Sequence, residues 1–203
     1  MRYLLSNLLV IAFVSCASYP KKKGLTEIDL SQKTISNPYF SDASKDYVYK
    51  ANIQAFGNSF SGIFIVKKLG EKHHRIAFTT EMGNKIFDFT FHGEDFKVNH
   101  ILKKMNKKIL VNILRKDFRV LVSENLSVEK TFKEGSNAIF ETQIANEKYY
   151  HFIFKENLTK VYRVGNGKEK VEYIFSEISH NIAKHIEISH QNFDLTIDLE
   201  AIK

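Results

Sequence analysis

The chain has 203 residues, of which 43% are apolar, 26% charged and 13% aromatic, a composition that suits a globular domain and excludes a disordered or fibrous one. With 9 Gly and 2 Pro available for linkers, one domain is expected, and 17 Phe, 9 Tyr and no Trp give it a Phe-rich interior. The 30 basic against 23 acidic residues leave a net charge of +7, which attracts anionic partners in general, nucleic acid and acidic lipid alike.

Residues 1–15 read as an export signal: Arg2 is followed by an apolar run over 4–14 and by small residues before Cys16. The run is too short to span a bilayer as a mature helix, which needs roughly 20 apolar residues. Phe13-Val14-Ser15-Cys16 resembles the bacterial lipobox, and this resemblance implies that Cys16, the sole cysteine, becomes a lipidated N-terminus. Ala17, where Asp would retain the protein in the inner membrane, resembles the sorting signal for the outer membrane. Export makes a nucleic-acid partner unsuitable, by compartment and not by charge. Residues 16–45 contain both prolines, Pro20 and Pro38, and no sustained period. They are expected to form a lipidated tether and lead-in, whose Lys21-Lys22-Lys23 cluster either assists binding to anionic headgroups or is simply solvated.

A domain is expected over 46–203. Residues 47–49, 60–66, 75–80, 85–91 and 96–99 are aromatic or β-branched runs separated by Gly57-Asn58, Gly70-Glu71, Gly83-Asn84 and Gly93-Glu94, the pattern of an antiparallel meander. After His100 the period changes. Ile101, Leu102, Met105, Ile109, Leu110, Ile113, Leu114 and Phe118 recur at three- and four-residue steps, with lysines and arginines on the other face, which predicts an amphipathic helix. Such a helix can lie on a membrane or cover a sheet, and the second is favoured where a sheet needs covering. Strands resume over 138–144, 149–155, 160–164, 171–178, 184–189 and 193–202. In the last, Phe193, Leu195, Ile197 and Leu199 alternate with polar residues, so one face meets a core and one meets water. Over 60–66, where Ile63 and Ile65 sit opposite Phe60, Phe64 and Val66, and over 149–155 apolar residues occupy both faces, so both are expected to be covered. The fold class is therefore mainly β: a single large curved antiparallel sheet, an unclosed β-barrel of about eleven strands, with a helical lid inserted mid-chain.

The sequence holds no recognisable catalytic residue and no metal ligand set. His73-His74 point to opposite faces of a strand, and the five-residue spacing of His180, His185 and His190 does not align them. Nucleophile elbows, phosphate-cradling glycine loops and paired zinc histidines are missing, and Asp88, Glu94 and Asp95 have no facing acid–base partner. The protein is expected not to be an enzyme and to carry no cofactor.

Residues 62–117 resemble the LolB/LolA family of lipoprotein carriers and receptors. The resemblance lies in Gly62-Ile63-Phe64-Ile65, in the strand–turn–strand of 74–89 with Met82 before Gly83 at its tip, and in a helical stretch at 101–114 where that family places a lid. The closing strand over 193–202 also fits. The resemblance implies a half-barrel whose cavity takes the acyl chains of lipoproteins, and a loop that presents Met82 and Gly83 to the membrane. Phe64, Phe87, Phe89, Phe91, Tyr173 and Phe175 are candidates to line that cavity; each alone is slightly better read as a plain core residue, and together they support a cavity better than singly. The expected protein is an outer-membrane lipoprotein, anchored through Cys16 and facing the periplasm. It binds acyl chains of lipoproteins or other lipids, received from a periplasmic carrier, and inserts lipoproteins into the membrane. The alternative is a non-catalytic assembly or interaction module of the same fold without lipid transport.

Overall fold

The two-residue alternation of the sequence becomes a run of antiparallel strands. A computed structural model describes residues 18–29 and 31–202, so the export signal and Cys16 lie outside the described residues. After a short helix α1 (Tyr19–Lys22), the chain forms β1 (Thr26–Ile28), β2 (Thr34–Ser36), β3 (Asp46–Ala55), β4 (Asn58–Gly70), β5 (His73–Thr79), β6 (Lys85–His92) and β7 (Asp95–Ile101). A second helix, α2 (Lys108–Val122), leads to β8 (Asn125–Glu134), β9 (Asn137–Ile144), β10 (Glu147–Phe154), β11 (Asn157–Gly165), β12 (Lys168–Ser179), β13 (Ile182–His190) and β14 (Leu195–Ala201).

The fourteen strands make one sheet in the order β1-β8-β9-β10-β11-β12-β13-β14-β3-β4-β5-β6-β7, with β2 also paired to β8. Its two ends, β1 and β7, are not joined, so the barrel is unclosed. The chain leaves one end at β7 and re-enters near the other at β8, and α2 is the segment that makes the crossing. This placement makes α2 a cover. Leu110, Ile113, Leu114, Phe118 and Leu121 on its inner stripe are buried in the same core as Phe64, Phe87 and Phe89 of the sheet.

The structure differs from expectation in the lead-in, at β8 and at the start of the helix. The eleven expected strands are all present, and β1, β2 and β8 are added to them. β8 reads as Asn-Leu-Ser-Val-Glu-Lys-Thr-Phe-Lys-Glu with much of its length exposed, so it lacks the one-sided alternation of a half-buried strand. The lead-in is not a free tether from Ser18 onward. β1 and β2 pair with β8, and Tyr39 and Phe40 are buried in the main core. Three-residue strands are too short to display a period, and they form because β8 offers them backbone partners. The helix begins at Lys108, not Ile101. Ile101 ends β7 opposite Phe87, and the Leu102 amide donates to the Ile86 carbonyl at 2.7 Å, so that spacing belongs to a turn over 102–107.

The second face of β10 is covered, as its two-sided pattern predicts, whereas Ile63 and Ile65 on the second face of β4 are only partly buried. Tyr150, Phe152, Phe132, Ile139 and Val164 form a small cluster on the outer face, closed by Tyr19 of α1. Tyr19 lies 4.6 Å from Tyr150 between ring centroids and donates its hydroxyl hydrogen to Glu169.

Candidate functional site: the interior beneath helix α2

The six candidate cavity residues are all buried, between 0% and 2% exposed, but they fall into separate groups. Phe64 of β4 and Phe87 and Phe89 of β6 surround Phe118 of α2, at centroid distances of 5.2, 5.6 and 6.4 Å. Phe91, at the far end of β6, lies beneath the Arg119 guanidinium at 5.5 Å. Phe175 stacks on Tyr39 of the lead-in at 4.8 Å. Tyr173 carries out a polar task, described below. The aromatic surface of the sheet is thus occupied by the helix and by the segment ahead of β3. A cavity of about 300 Å³ lies at the C-terminal end of α2, lined in part by His74, Phe91, Arg119, Leu126 and Ile144.

Two polar ties hold the helix down. Asp117 lies on the apolar stripe, one position before Phe118, and is 1% exposed. The Tyr173 hydroxyl donates to its Oδ1 at 3.1 Å, and His190 Nε2 lies 2.8 Å from its Oδ2. Burial, reinforced by the Asp117 charge, pushes the Tyr173 phenol well above its ordinary pKa, so Tyr173 remains a donor. A buried carboxylate without such partners would be costly. Two residues on, Arg119 donates to the carbonyls of Gly93 (2.5 Å), Glu94 (2.8 Å) and Asp95 (3.2 Å) at the β6–β7 turn, fastening the helix to the β7 end of the sheet. Lys116 adds a half-exposed pair with Glu147, which Arg163 also contacts.

Sequence reading missed Asp117, Arg119 and His190. The signal was present for the first: a carboxylate at the position that continues the stripe of Ile113, Leu114 and Phe118 is out of place unless something across the interface receives it. His190 was read as a solvated or structural histidine, and its partner, 73 positions away, cannot be read from spacing.

The other candidate region is the β5–β6 turn. Thr80 N–H donates to Asn84 O at 2.8 Å, Gly83 N–H donates to Thr80 O at 2.9 Å, and Asn84 N–H donates to Thr80 Oγ1 at 3.1 Å. Gly83 takes φ +83°, a conformation that disfavours any side chain. These bonds leave Met82 at the tip, 93% exposed. At the base of the turn Asp88 is bound by Arg75, Asn99 and Lys85, and the Arg75 hydrogen bonds lead in holding its carboxyl at about 2.

Buried histidines make the fold acid-sensitive. Burial alone depresses His151 to about 3 from an ordinary 6.5. It also lowers His74, despite the Phe40 carbonyl and Glu124 beside it. His151 stays neutral in the folded chain and His74 is biased the same way, whereas the unfolded chain takes up protons at both below pH 6.5. Stability is therefore full above that pH and is lost as pH falls toward about 3, by roughly 1 kcal/mol per unit for His151. Asp88 contributes only lower, between its ordinary 3.8 and about 2. Urea melts between pH 7 and 4 should show a steady decline, shallower in His151→Gln; a flat profile over that range would contradict the burial argument.

No family model matches the chain, and no relative among curated proteins does. Among solved structures, it is similar to a LolA superfamily protein from Nitrosomonas europaea, with a TM-score of 0.53 at 8% identity over 82% of this chain and 88% of that one. The fold is LolA-like. A DUF1329 family protein from Desulfovibrio piger aligns over 80% of this chain and 85% of that one, at 10% identity and a TM-score of 0.43. A domain from Vibrio parahaemolyticus named for outer membrane lipoprotein sorting aligns over 78% and 83%, at 9% identity and 0.41. The resemblance read in residues 62–117 therefore holds at the level of the LolA-like fold, which extends over most of the chain.

Proposed function

We propose that this protein is an outer-membrane lipoprotein, facing the periplasm, that holds acyl chains of lipoproteins or other lipids on the aromatic surface now covered by α2, accepts them from a periplasmic carrier and passes them to the membrane. The observation that carries this reading is the helix itself. An amphipathic helix crosses the mouth of an unclosed sheet and covers Phe64, Phe87 and Phe89 with its apolar face, and acyl chains could replace its apolar contacts with little change in buried area. The LolA superfamily name of the similar structure supports it. No reaction or cofactor is needed for such a task.

The direct test is uptake. Purified chain starting at Ser18 should carry acyl chains detectable by mass spectrometry, or take up a fluorescent fatty acid saturably. A chain that stays empty and excludes the probe favours the second reading, an assembly module of the same fold, for which the packing of α2 and Tyr39 against the aromatic face of the sheet is the supporting observation.

In this reading Met82 and Gly83 contact lipid during delivery. Met82→Glu should leave the melting temperature within about 1 °C, because an exposed side chain loses almost no buried area. Transfer of a lipidated peptide to vesicles should fall severalfold. Normal transfer by this variant would remove the loop from the mechanism. Cys16 is proposed as the lipid attachment site, and its Ser variant should leave the membrane fraction and lose label from radioactive fatty acid. Attachment there would hold the domain close to the bilayer, because the chain is already packed against β10 at Tyr19, three positions later. Persistent labelling of Cys16→Ser would overturn that assignment.

A further inference from the structure

We propose that the β7–α2 turn and the first residues of α2, over 102–109, are a docking surface for an anionic phospholipid bilayer. The segment reads Leu-Lys-Lys-Met-Asn-Lys-Lys-Ile, with four basic and no acidic residues. Met105 is fully buried and pins the segment to the core, so its neighbours face outward. Leu102 is 38% and Ile109 52% exposed, and Lys103, Lys104, Lys107 and Lys108 are all exposed. Among the described residues none of these four lysines forms an ion pair.

Exposed apolar side chains flanked by unpaired lysines match the two layers of a membrane surface, acyl boundary and phosphate headgroup. The placement adds to the match. Through the Leu102 to Ile86 hydrogen bond, the segment lies beside the strand that follows the β5–β6 turn, whose tip carries Met82. Lys107 is also the N-cap of α2 and Lys108 its first residue, with no acidic residue in the first turn, and cations there oppose the helix dipole; phosphate groups nearby relieve that conflict. The rest of the helix does not lie on the membrane, since its apolar stripe is spent on the sheet.

The inference rests on the acyl-carrier reading only for bringing the protein to a bilayer, and the two can fail separately. Vesicle flotation of the chain starting at Ser18, whose strands, helices and core all lie within 18–202, tests it with phosphatidylcholine vesicles and with vesicles containing about one-third phosphatidylglycerol. Binding should be at least about tenfold tighter to the anionic vesicles, given roughly fivefold per lysine near such a surface, and should weaken steeply with added salt. Changing Lys103, Lys104, Lys107 and Lys108 to Glu should abolish the preference without lowering the melting temperature, since acidic residues suit the start of a helix. The matched change at Lys50, Lys133, Lys155 and Lys184, exposed elsewhere, should retain most of it. Equal binding to both vesicles, or equal loss in both variants, overturns the assignment. A chain that takes up acyl probe yet ignores vesicle charge overturns this surface alone.

Discussion

Replacing Asp117 with Ala is expected to lower the melting temperature by roughly 5–15 °C while leaving acyl-probe uptake as strong as in the original chain or stronger. The substitution leaves the Tyr173 hydroxyl and His190 Nε2 without the carboxylate that binds both, in an interior where each side chain is at most 1% exposed. Two buried polar groups stranded at about 1–3 kcal/mol each give a loss of roughly 2–6 kcal/mol, and in a chain of this size 1 kcal/mol corresponds to about 2–4 °C. The functional consequence has the opposite sign. If α2 must lift for ligand to enter, weakening its tie raises the population of the open state, and the apparent affinity rises with that population. Asp117→Asn, which keeps an oxygen for Tyr173, should lie between the two. Thermal melts and fluorescent fatty-acid titrations decide it: uptake that falls in step with stability would mark Asp117 as a structural residue and nothing more.

Gly62→Ala is expected to cost about 3 kcal/mol, a loss of roughly 6–12 °C in the same melts. Gly62 lies in β4 where the backbone of β5 passes close by. A β-carbon at this position would sit 1.9 Å from the Thr79 carbonyl oxygen, 2.9 Å from its carbon and 3.1 Å from Thr80 Cα. These are backbone atoms that cannot rotate away. β4 and β5 must separate at the base of the β5–β6 turn, which disturbs the pairing of Ile63 with Thr79 and the turn bonds made by Thr80. Met82 would be displaced as well, so transfer of lipidated peptide should drop alongside stability. By contrast Gly83→Ala, with open space around it and strain only from φ +83°, should cost about 1 kcal/mol. A Gly62→Ala chain that melts normally would mean the strands part more easily than their geometry implies.

Legibility in the sequence followed the length and one-sidedness of each pattern. β14 could be read over Leu195, Ile197 and Leu199, because a core on one face and water on the other impose strict alternation, whereas Phe193, expected on the same core face, precedes the strand and is 39% exposed. The two-sided pattern of β10 announced a second covered face, and Tyr19 covers it. β1 and β2 were invisible because three residues cannot show a period, and Tyr39 and Phe40 looked like loop residues until β8 and Phe175 were present to receive that segment. The helix stripe was plain, yet its first turn was misplaced by seven residues because Leu102 and Met105 keep helical spacing through a turn. The candidate interior was legible as a class of residue, Phe on alternate strand positions, and not as a shape. Which Phe side chains meet depends on sheet curvature, and the polar tie of Asp117 to His190 depends on a pairing across most of the domain.

The central claim is that ligand acyl chains take the place of α2 against the aromatic face of the sheet. The chain has no tryptophan, so Phe87→Trp supplies a single reporter beneath Phe118. Its emission should be that of a buried indole in the free protein. Titration with a lipopeptide whose acyl chains carry bromine should quench it saturably at one ligand per chain, with the same midpoint as the fatty-acid probe. Emission that stays unchanged while the lipopeptide binds would place the ligand elsewhere and contradict the account.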